Sequence, residues 1–110
     1  MSNKQNLLGL LGLCRKAGKL VAGFDAVCGA ARTKEAYLIL TARDLSPKSR
    51  KELVFKTLNS GAEIIDAPVD IDDVARIIGR RAGILAIADE GFAQALKSAA
   101  ARACEEDTAI

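Results

Sequence analysis

A chain of 110 residues is long enough for one compact domain and too short for two of ordinary size, so any functional site must lie on a single core. Half of the residues are hydrophobic and Trp is absent, which predicts an aliphatic core and argues against a disordered chain. The net charge of +2 hides an asymmetry, because residues 1–60 hold 11 Lys and Arg against 4 Asp and Glu, whereas residues 61–110 hold 5 against 10; the basic half favours a polyanionic partner only weakly.

The first predicted element is a helix over residues 3–17. Apolar residues recur at helical spacing from Leu7 to Cys14, and Gly18 follows as a stop signal. The stretch superficially resembles a secretory signal, but its apolar part spans only about two helical turns, and Leu13 is bulky where a cleavage site needs a small residue. No later segment approaches the roughly 18 apolar residues of a transmembrane helix. We interpret the segment as a core helix.

Short apolar runs and helical patterns alternate along the rest of the chain. The predicted elements are, in order, a strand over 19–22, a helix over 25–32, a central strand over 36–42, a helix over 47–60, a strand over 62–66, a helix from about Asp70 to Gly79, a strand over 83–88 and a helix over 92–103. This alternation predicts an α/β fold, a three-layer α/β/α sandwich with a small mixed four-stranded sheet. Residues 1–104 form one domain in this interpretation, and residues 105–110 are expected to fray.

The three cysteines do not form a metal-binding pattern. Cys14, Cys28 and Cys104 contain no C-x-x-C pair, and the chain has no His to complete a zinc site. We expect buried thiols kept reduced in the cytoplasm, and neither a metal nor a cofactor. The missing His also removes the usual general base, which favours a protein that is not an enzyme. The acidic pair Asp89 and Glu90 is interpreted as a helix start rather than as acid and base catalysts.

Glycine and charge come together in the turn from Gly18 to Asp25. A glycine that opens a helix exposes backbone N–H groups to a phosphate, and Lys19 adds a positive charge. Gly23 lacks the companions of a dinucleotide or Walker motif, so nucleotide binding has little support. Asp25 could accept hydrogen bonds from a guanine edge, or it could cap or complement its own helix. The turn is a candidate anion-binding site.

A second candidate is the connection before the last strand. Arg80, Arg81, Ala82 and Gly83 combine two cations with a small turn beside the apolar Ile84. Such a loop suits RNA, because cations hold the backbone while apolar atoms pack against an unstacked base. Without further context, an ordinary solvated connection explains the same residues.

Three segments together resemble the ribosomal protein L-seven-Ae and L-thirty-e family of kink-turn RNA binders, especially its small bacterial ribosomal-protein-like branch. They are residues 15–23 (RKAGKLVAG), 42–47 (ARDLSP) and 88–93 (ADEGFA), in the family's order and spacing. The likeness covers about residues 7–96. It implies a sheet between helices that holds a sharply bent RNA loop through the start of the second helix and the loop before the last strand.

The resemblance also implies a set of binding residues. In the family, a glycine lets the backbone approach RNA, polar side chains read G·A pairs, and apolar loop residues contact an extruded base. The chain departs from the pattern at Ala26, where the family has Glu, and at Gly29, where it has Lys. Arg32, one turn further on, is a partial substitute. The expected RNA-binding residues are Lys19, Gly23, Asp25, Arg32, Arg81, Ala82, Gly83 and Ile84.

These inferences lead to a non-catalytic, cytoplasmic RNA-binding protein that recognises a structured, kink-turn-like RNA and is associated with the ribosome. Ribosomal proteins are further expected partners, whereas DNA and membranes are not. The alternative is a protein-interaction module of the same fold that has lost specific RNA recognition, which Ala26 and Gly29 motivate. An enzyme is a third class, but the chain has no room for a catalytic domain beside a recognition domain.

Overall fold

The computed structural model describes residues 2–108 and the side chains of residues 2–105. Helices and strands alternate through this part of the chain. Their bounds are α1 Asn3–Lys16, β1 Leu20–Ala22, α2 Phe24–Arg32, β2 Leu38–Ala42, α3 Pro47–Lys56, β3 Glu63–Ala67, α4 Ile71–Ile78, β4 Ile84–Ile87 and α5 Glu90–Thr108. The α/β class and the mixed sheet predicted from the sequence are confirmed.

The strands form one sheet in the order β1-β4-β2-β3. β4 is antiparallel to both of its neighbours, pairing Leu85 with Ala22 of β1 and with Leu40 of β2. β2 and β3 are parallel, with Leu38 opposite Glu63. As a result, β1, β2 and β3 all end where β4 begins, and the loops that follow or precede them meet at one end of the sheet.

Helices cover both faces of the sheet. Leu85 and Ile87 of β4 belong to the core beneath α1, α4 and α5, whereas Ile84 and Ala86 belong to the core beneath α2 and α3. This alternation follows from the two-residue period of a strand. Burial on both faces explains why β2 is an unbroken apolar run, with all five of its residues buried.

Inside the fold, two predicted elements have a boundary that differs from the structure by two residues or more. The central strand begins at Leu38 rather than at residue 36, and Tyr37 is exposed. The helix predicted over 47–60 ends at Lys56. The Thr57 hydroxyl donates to the Leu53 carbonyl at 2.7 Å, which satisfies a carbonyl at the helix end, and Gly61 has a positive φ of 80° beyond it.

The last helix is longer than the prediction. It begins at Glu90 and continues through Thr108, and residues 109–110 lie outside the described residues. The expectation that residues 105–110 fray stays a prediction. Its small-residue face remains buried as far as Ala103, and Sγ of Cys104 lies 4.0 Å from the Asp66 carbonyl of β3. Tertiary packing therefore holds α5 against the fold as far as Cys104. None of the helices within residues 2–108 is long and apolar enough to cross a membrane.

Candidate nucleic-acid interface

The two sequence candidates meet at one end of the sheet, which we call the Gly23 end and define by Gly23, Arg43 and residues 80–83. The Gly23 N–H donates to the Ile84 carbonyl at 3.0 Å, and the Ala42 N–H donates to the Gly83 carbonyl at 2.9 Å. Backbone hydrogen bonds therefore hold the start of α2 beside the loop before β4. The family resemblance implies that these two segments hold one RNA together, which requires them to be neighbours.

Gly23 has a backbone conformation that favours glycine. Its φ of 101° and ψ of 151° lie in a region that other residues rarely occupy. A Cβ at this position would lie 3.0 Å from Nη2 of Arg80. The missing side chain therefore leaves both the backbone conformation and the space under the Arg80 guanidinium available.

Three helices begin at the Gly23 end, and their N-termini differ in how they are capped. The Ser46 hydroxyl accepts from the Ser49 N–H at the start of α3, and Asp70 and Asp73 form a capping box at the start of α4. No side-chain hydrogen bond caps α2 at Gly23. Because the first N–H groups of a helix attract anions, α2 is the helix best placed to accept a phosphate.

Asp73 is strongly held at the start of α4. The whole residue is only 3% exposed. Its carboxylate accepts hydrogen bonds from Lys4 Nζ at 2.9 Å and from the Asp70 N–H at 3.1 Å, and it also pairs with Arg76. Burial opposes its ionisation, but these hydrogen bonds outweigh burial and lower the pKa of Asp73 to about 2. An anionic carboxylate thus occupies the N-terminus of α4, and an external anion is disfavoured there.

Asp25 is exposed in the first turn of α2 and does not cap the helix with its side chain. Of the roles considered from the sequence, Asp25 does not cap its helix directly, but it complements the helix dipole from the first turn. Its carboxylate is exposed to solvent and is free to accept a hydrogen bond from a ligand. Ala26 is exposed as well, and a Cβ at Gly29 would meet nothing within 4 Å. Both departures from the family pattern thus lie in open space.

The loop of residues 80–83 presents its two arginines differently. Arg81 pairs with Asp72 across the loop, and both side chains are about two-thirds exposed or more, at 67% and 71%. An exposed ion pair of this kind contributes roughly 0–1 kcal/mol and can be exchanged for a phosphate. Arg80 has no ion pair among the described residues and lies against Gly23. Of the two arginines of this loop, Arg80 is therefore the one whose charge is not offset by a carboxylate among the described residues.

Three expected residues of this loop are packed against the protein. Ala82 and Ile84 are 7% and 3% exposed, so the expectation that their apolar side chains face a base is wrong for this conformation. The strand period turns Ile84 towards α2 and α3. A Cβ at Gly83 would lie 2.8 Å from Cδ1 of Leu45, so that glycine is needed for packing. What this loop presents outward is backbone and arginine.

Lys19 and Arg32 are not part of the Gly23 end. Lys19 precedes β1, and its carbonyl accepts from the Ala88 N–H at the opposite end of the sheet. It is about 13 Å of extended backbone away from Gly23. Arg32 is the last residue of α2, at the far end of a helix about 13 Å long. The expected site residues are thus divided between two regions.

Two arginines at the Gly23 end, Arg43 and Arg80, are not among the binding residues expected from the sequence. Arg43 follows β2 directly, and its Nη2 lies 3.8 Å from a carboxylate oxygen of Asp70. Arg80 was noted with Arg81 as a pair of cations, but nothing in the sequence indicates which of the two lies over Gly23. The order of the strands could have indicated Arg43, because β2 and β4 have opposite directions in a mixed sheet.

The cysteines and acidic residues of the described chain do not form a metal cluster of three or more ligands. Burial and, to a lesser extent, Asp89 raise the pKa of Cys14 to about 11, and burial raises the pKa of Cys28. Both thiols are therefore held in the neutral form, which disfavours nucleophilic chemistry at these sulfurs.

Comparison with known proteins places this geometry in context. The chain is 26% identical over 95 residues to an Enterococcus faecium protein named "RNA-binding protein YlxQ", covering 86% of this chain and 91% of that protein. A Bacillus halodurans C protein of unknown function has the same fold, with a TM-score of 0.79, 23% identity and coverage of 86% and 96%. A Giardia lamblia 15.5kD RNA binding protein shares the fold with a TM-score of 0.70, 12% identity and coverage of 92% and 87%.

The family resemblance inferred from three short segments is confirmed over most of the chain. Residues 5–97 match the model of the Ribosomal protein L7Ae/L30e/S12e/Gadd45 family. This match spans the strands and the Gly23 end, from within α1 to within α5. The chain therefore belongs to the Ribosomal protein L7Ae/L30e/S12e/Gadd45 family.

Proposed function

We propose that this chain is a non-catalytic RNA-binding protein that recognises a structured, kink-turn-like RNA through the Gly23 end. The observation that carries the proposal is the uncapped N-terminus of α2 beside the guanidinium of Arg80, which forms no ion pair within the described part of the chain. Membership of the family and the RNA-binding name of the Enterococcus faecium relative support it. Association with ribosomal RNA in the cytoplasm is part of the same proposal.

The chemistry of binding follows from the groups at this end. A phosphate accepts hydrogen bonds from the first N–H groups of α2 and from Arg80, and the glycine conformation lets the RNA backbone approach closely. The exposed Asp25 carboxylate accepts from the N–H donors of a guanine, which are displayed at the sheared G·A pairs of a bent loop. Arg81 leaves Asp72 to contact a second phosphate.

The site residues expected from the sequence take different roles in this proposal. Gly23, Asp25, Arg80 and Arg81 form the direct contact, and Ala82, Gly83 and Ile84 hold the loop in place and offer backbone atoms. Contact by the Ile84 side chain would require the loop to move, because that side chain is packed between the sheet and α2. Lys19 and Arg32 lie outside the direct contact.

Ala26 and Gly29 reduce the number of contacts available to this chain compared with the family pattern implied by the resemblance. Each lost base-edge contact costs about 1–3 kcal/mol of discrimination, and each lost phosphate contact flattens the salt dependence by about one unit of slope. We therefore propose weaker sequence discrimination than the full pattern provides, with electrostatics supplying most of the affinity.

The proposal is tested by titrating the protein with a kink-turn RNA and with a matched RNA in which the G·A pairs are replaced by Watson–Crick pairs. Anisotropy measured at two salt concentrations gives the affinity and its salt dependence. We expect tighter binding to the kink-turn RNA at both concentrations. Equal affinities would contradict specific recognition, and no measurable affinity for either RNA would support the protein-interaction alternative.

A further inference from the structure

A second surface of the protein, separate from the Gly23 end, joins exposed cations to an exposed aromatic ring. We call it the α2–α3 groove and define it by Arg32, Lys34, Lys48, Lys51, Phe55 and Lys56. Three adjoining depressions in the protein surface all border Lys56, and the largest has a volume of about 430 Å³. The groove lies on the face of the molecule formed by α2 and α3.

The groove is electropositive because its cations are not neutralised. No ion pair within the described chain involves Arg32, Lys48 or Lys51. Acidic side chains border it at Asp25 and Glu52. With five cations against these two anions, the groove is complementary to a polyanion.

Phe55 lies in the middle of this positive field and is 75% exposed. It borders two of the three depressions, one of them shared with Lys48 and Lys51 and the other with Arg32 and Lys34. A large aromatic side chain is ordinarily buried, so this degree of exposure costs solvation free energy without stabilising the fold. The Phe55 ring is placed where a planar ligand can stack on it between cations.

The Lys56 side chain forms one cation–aromatic contact at this surface. Its Nζ lies 5.6 Å from the centroid of the Phe24 ring, within the range of a cation–π interaction. Phe24 is the first residue of α2 and follows Gly23 directly. The Lys56 side chain therefore reaches back from the end of α3 to the first turn of α2, beside the Gly23 end.

The axis of α3 gives the groove its length and direction. Lys48 is in the first turn of α3, at the Gly23 end, and Lys56 is its last residue. The helix is about 15 Å long, so an extended strand that leaves the Gly23 end can follow it past several cations. A single-stranded continuation of an RNA held at the Gly23 end would take this path.

We infer that the α2–α3 groove binds a single-stranded segment of RNA, with the phosphates on its lysines and arginine and one base stacked on Phe55. The inference rests on the proposed function for the identity of the polyanion. Cations that follow a backbone and an aromatic ring that stacks a base are the two features by which proteins hold single strands without reading their sequence. An acidic peptide would satisfy the cations but leave Phe55 without a planar partner.

The test uses a short fluorescein-labelled oligouridylate, which cannot form a kink-turn, and measures its binding to the full chain by anisotropy. We expect Phe55→Ala to weaken binding about tenfold and Phe55→Trp to retain it, because stacking contributes about 1–3 kcal/mol per base. Lys51→Gln should flatten the salt dependence by about 0.7 units of slope, as expected for one phosphate contact on a single strand.

Matched controls come from residues outside the groove. Leu13→Ala removes another exposed apolar side chain, 56% exposed on α1, and Lys16→Gln removes an exposed lysine at the end of the same helix. Both should leave oligouridylate binding unchanged. Because Phe55 is exposed, its variants should keep the thermal unfolding midpoint of the parent chain, which circular dichroism checks.

The outcomes separate this inference from the proposed function. Oligouridylate binding that depends on Phe55, together with equal affinities for the two kink-turn test RNAs, would support the groove and overturn specific recognition at the Gly23 end. Specific kink-turn binding with no effect of Phe55→Ala on oligouridylate would overturn the groove alone. Polyglutamate carries charge but cannot stack on an aromatic ring. If it displaced oligouridylate equally well from the parent and from the Phe55→Ala protein, the groove inference would also be overturned, because charge alone would then explain the binding.

Discussion

The two ends of the sheet differ in what their helices and loops present to solvent. At the Gly23 end, α2, α3 and α4 begin, the loops carry Arg43, Arg80 and Arg81, and Arg80 lies against Gly23. At the opposite end, where Lys19 lies, α5 begins with the acidic residues Asp89 and Glu90, and the Asp89 carboxylate accepts from the Phe92 N–H at 2.8 Å. The uncapped N-terminus of α2 attracts anions at the first end, whereas a carboxylate satisfies the N-terminus of α5 at the second.

This comparison shows that charge along the chain is a poor guide to charge in space. Lys19 is near Gly23 in sequence and lies at the other end of the sheet, whereas Arg80 is far in sequence and lies against Gly23. The reason is the direction of the strands, because each β-strand carries the chain from one end of the sheet to the other. A function that depends on the Gly23 end should respond to substitutions there and ignore matched substitutions at the Lys19 end.

The largest expected effect is that of Gly23→Val. The positive φ is unfavourable for a β-branched residue, and the new side chain would also displace the Arg80 guanidinium, whose Nη2 lies 3.0 Å from the Cβ position. We expect the free energy of unfolding to fall by about 2–3 kcal/mol, measured by urea denaturation, and RNA binding to be lost. Gly29→Ala is the control: its Cβ meets nothing within 4 Å, and an alanine within a helix should stabilise by up to about 1 kcal/mol. Equal stabilities for the two variants would show that the Gly23 conformation is dispensable.

Asp73→Asn should produce the next largest effect. Because the folded pKa of Asp73 is lowered to about 2, its stabilisation is present above the unfolded pKa of about 4 and is lost as the pH falls towards 2. The variant should lose on the order of 2 kcal/mol at neutral pH and little below pH 2. At the other end of the sheet, Asp89→Asn keeps an N-cap acceptor and should change stability only slightly. Unfolding curves across this pH range compare the two, and parallel losses would contradict the role of burial and pairing at Asp73.

Arg80→Gln and Lys19→Gln compare the two ends directly. Removing Arg80 should weaken binding of a kink-turn RNA about tenfold at low salt, because it removes a charge-assisted contact to phosphate. Removing Lys19 should leave the affinity within about twofold. Anisotropy titrations at several salt concentrations measure both affinities. A larger loss of RNA affinity for Lys19→Gln would show that RNA binds at the Lys19 end of the sheet and not at the Gly23 end.

The smallest effect is expected from Asp72→Asn. It releases Arg81 from an exposed ion pair, which contributes roughly 0–1 kcal/mol to stability, so the unfolding midpoint should hardly change. RNA affinity should increase a few-fold, since Arg81 no longer exchanges one anion for another and the Gly23 end becomes more positive. A decrease in affinity would mean that Asp72 orients Arg81 for binding rather than competing with the phosphate.

Much of the fold follows from local patterns in the sequence. The apolar run of β2, the Ser46 and Pro47 start of α3 and the glycine at the end of α4 each predict their element because capping, chain conformation and periodicity act over a few residues. The ends of elements were harder to predict, as α3 and α5 show, because side-chain hydrogen bonds and packing decide where a helix stops.

Local patterns in the chain were enough to predict the alternation of helices and strands, the glycine that opens α2 and the cations in the loop before β4. Which of these cations lie together in space depends on how distant segments pack. Strand order and direction brought Arg80 to Gly23 and carried Lys19 to the far end, and the two-residue period of β4 buried Ile84 beneath α2. Local preferences act within a few residues, whereas a binding surface is assembled by hydrogen bonds and packing between segments that are distant in the chain.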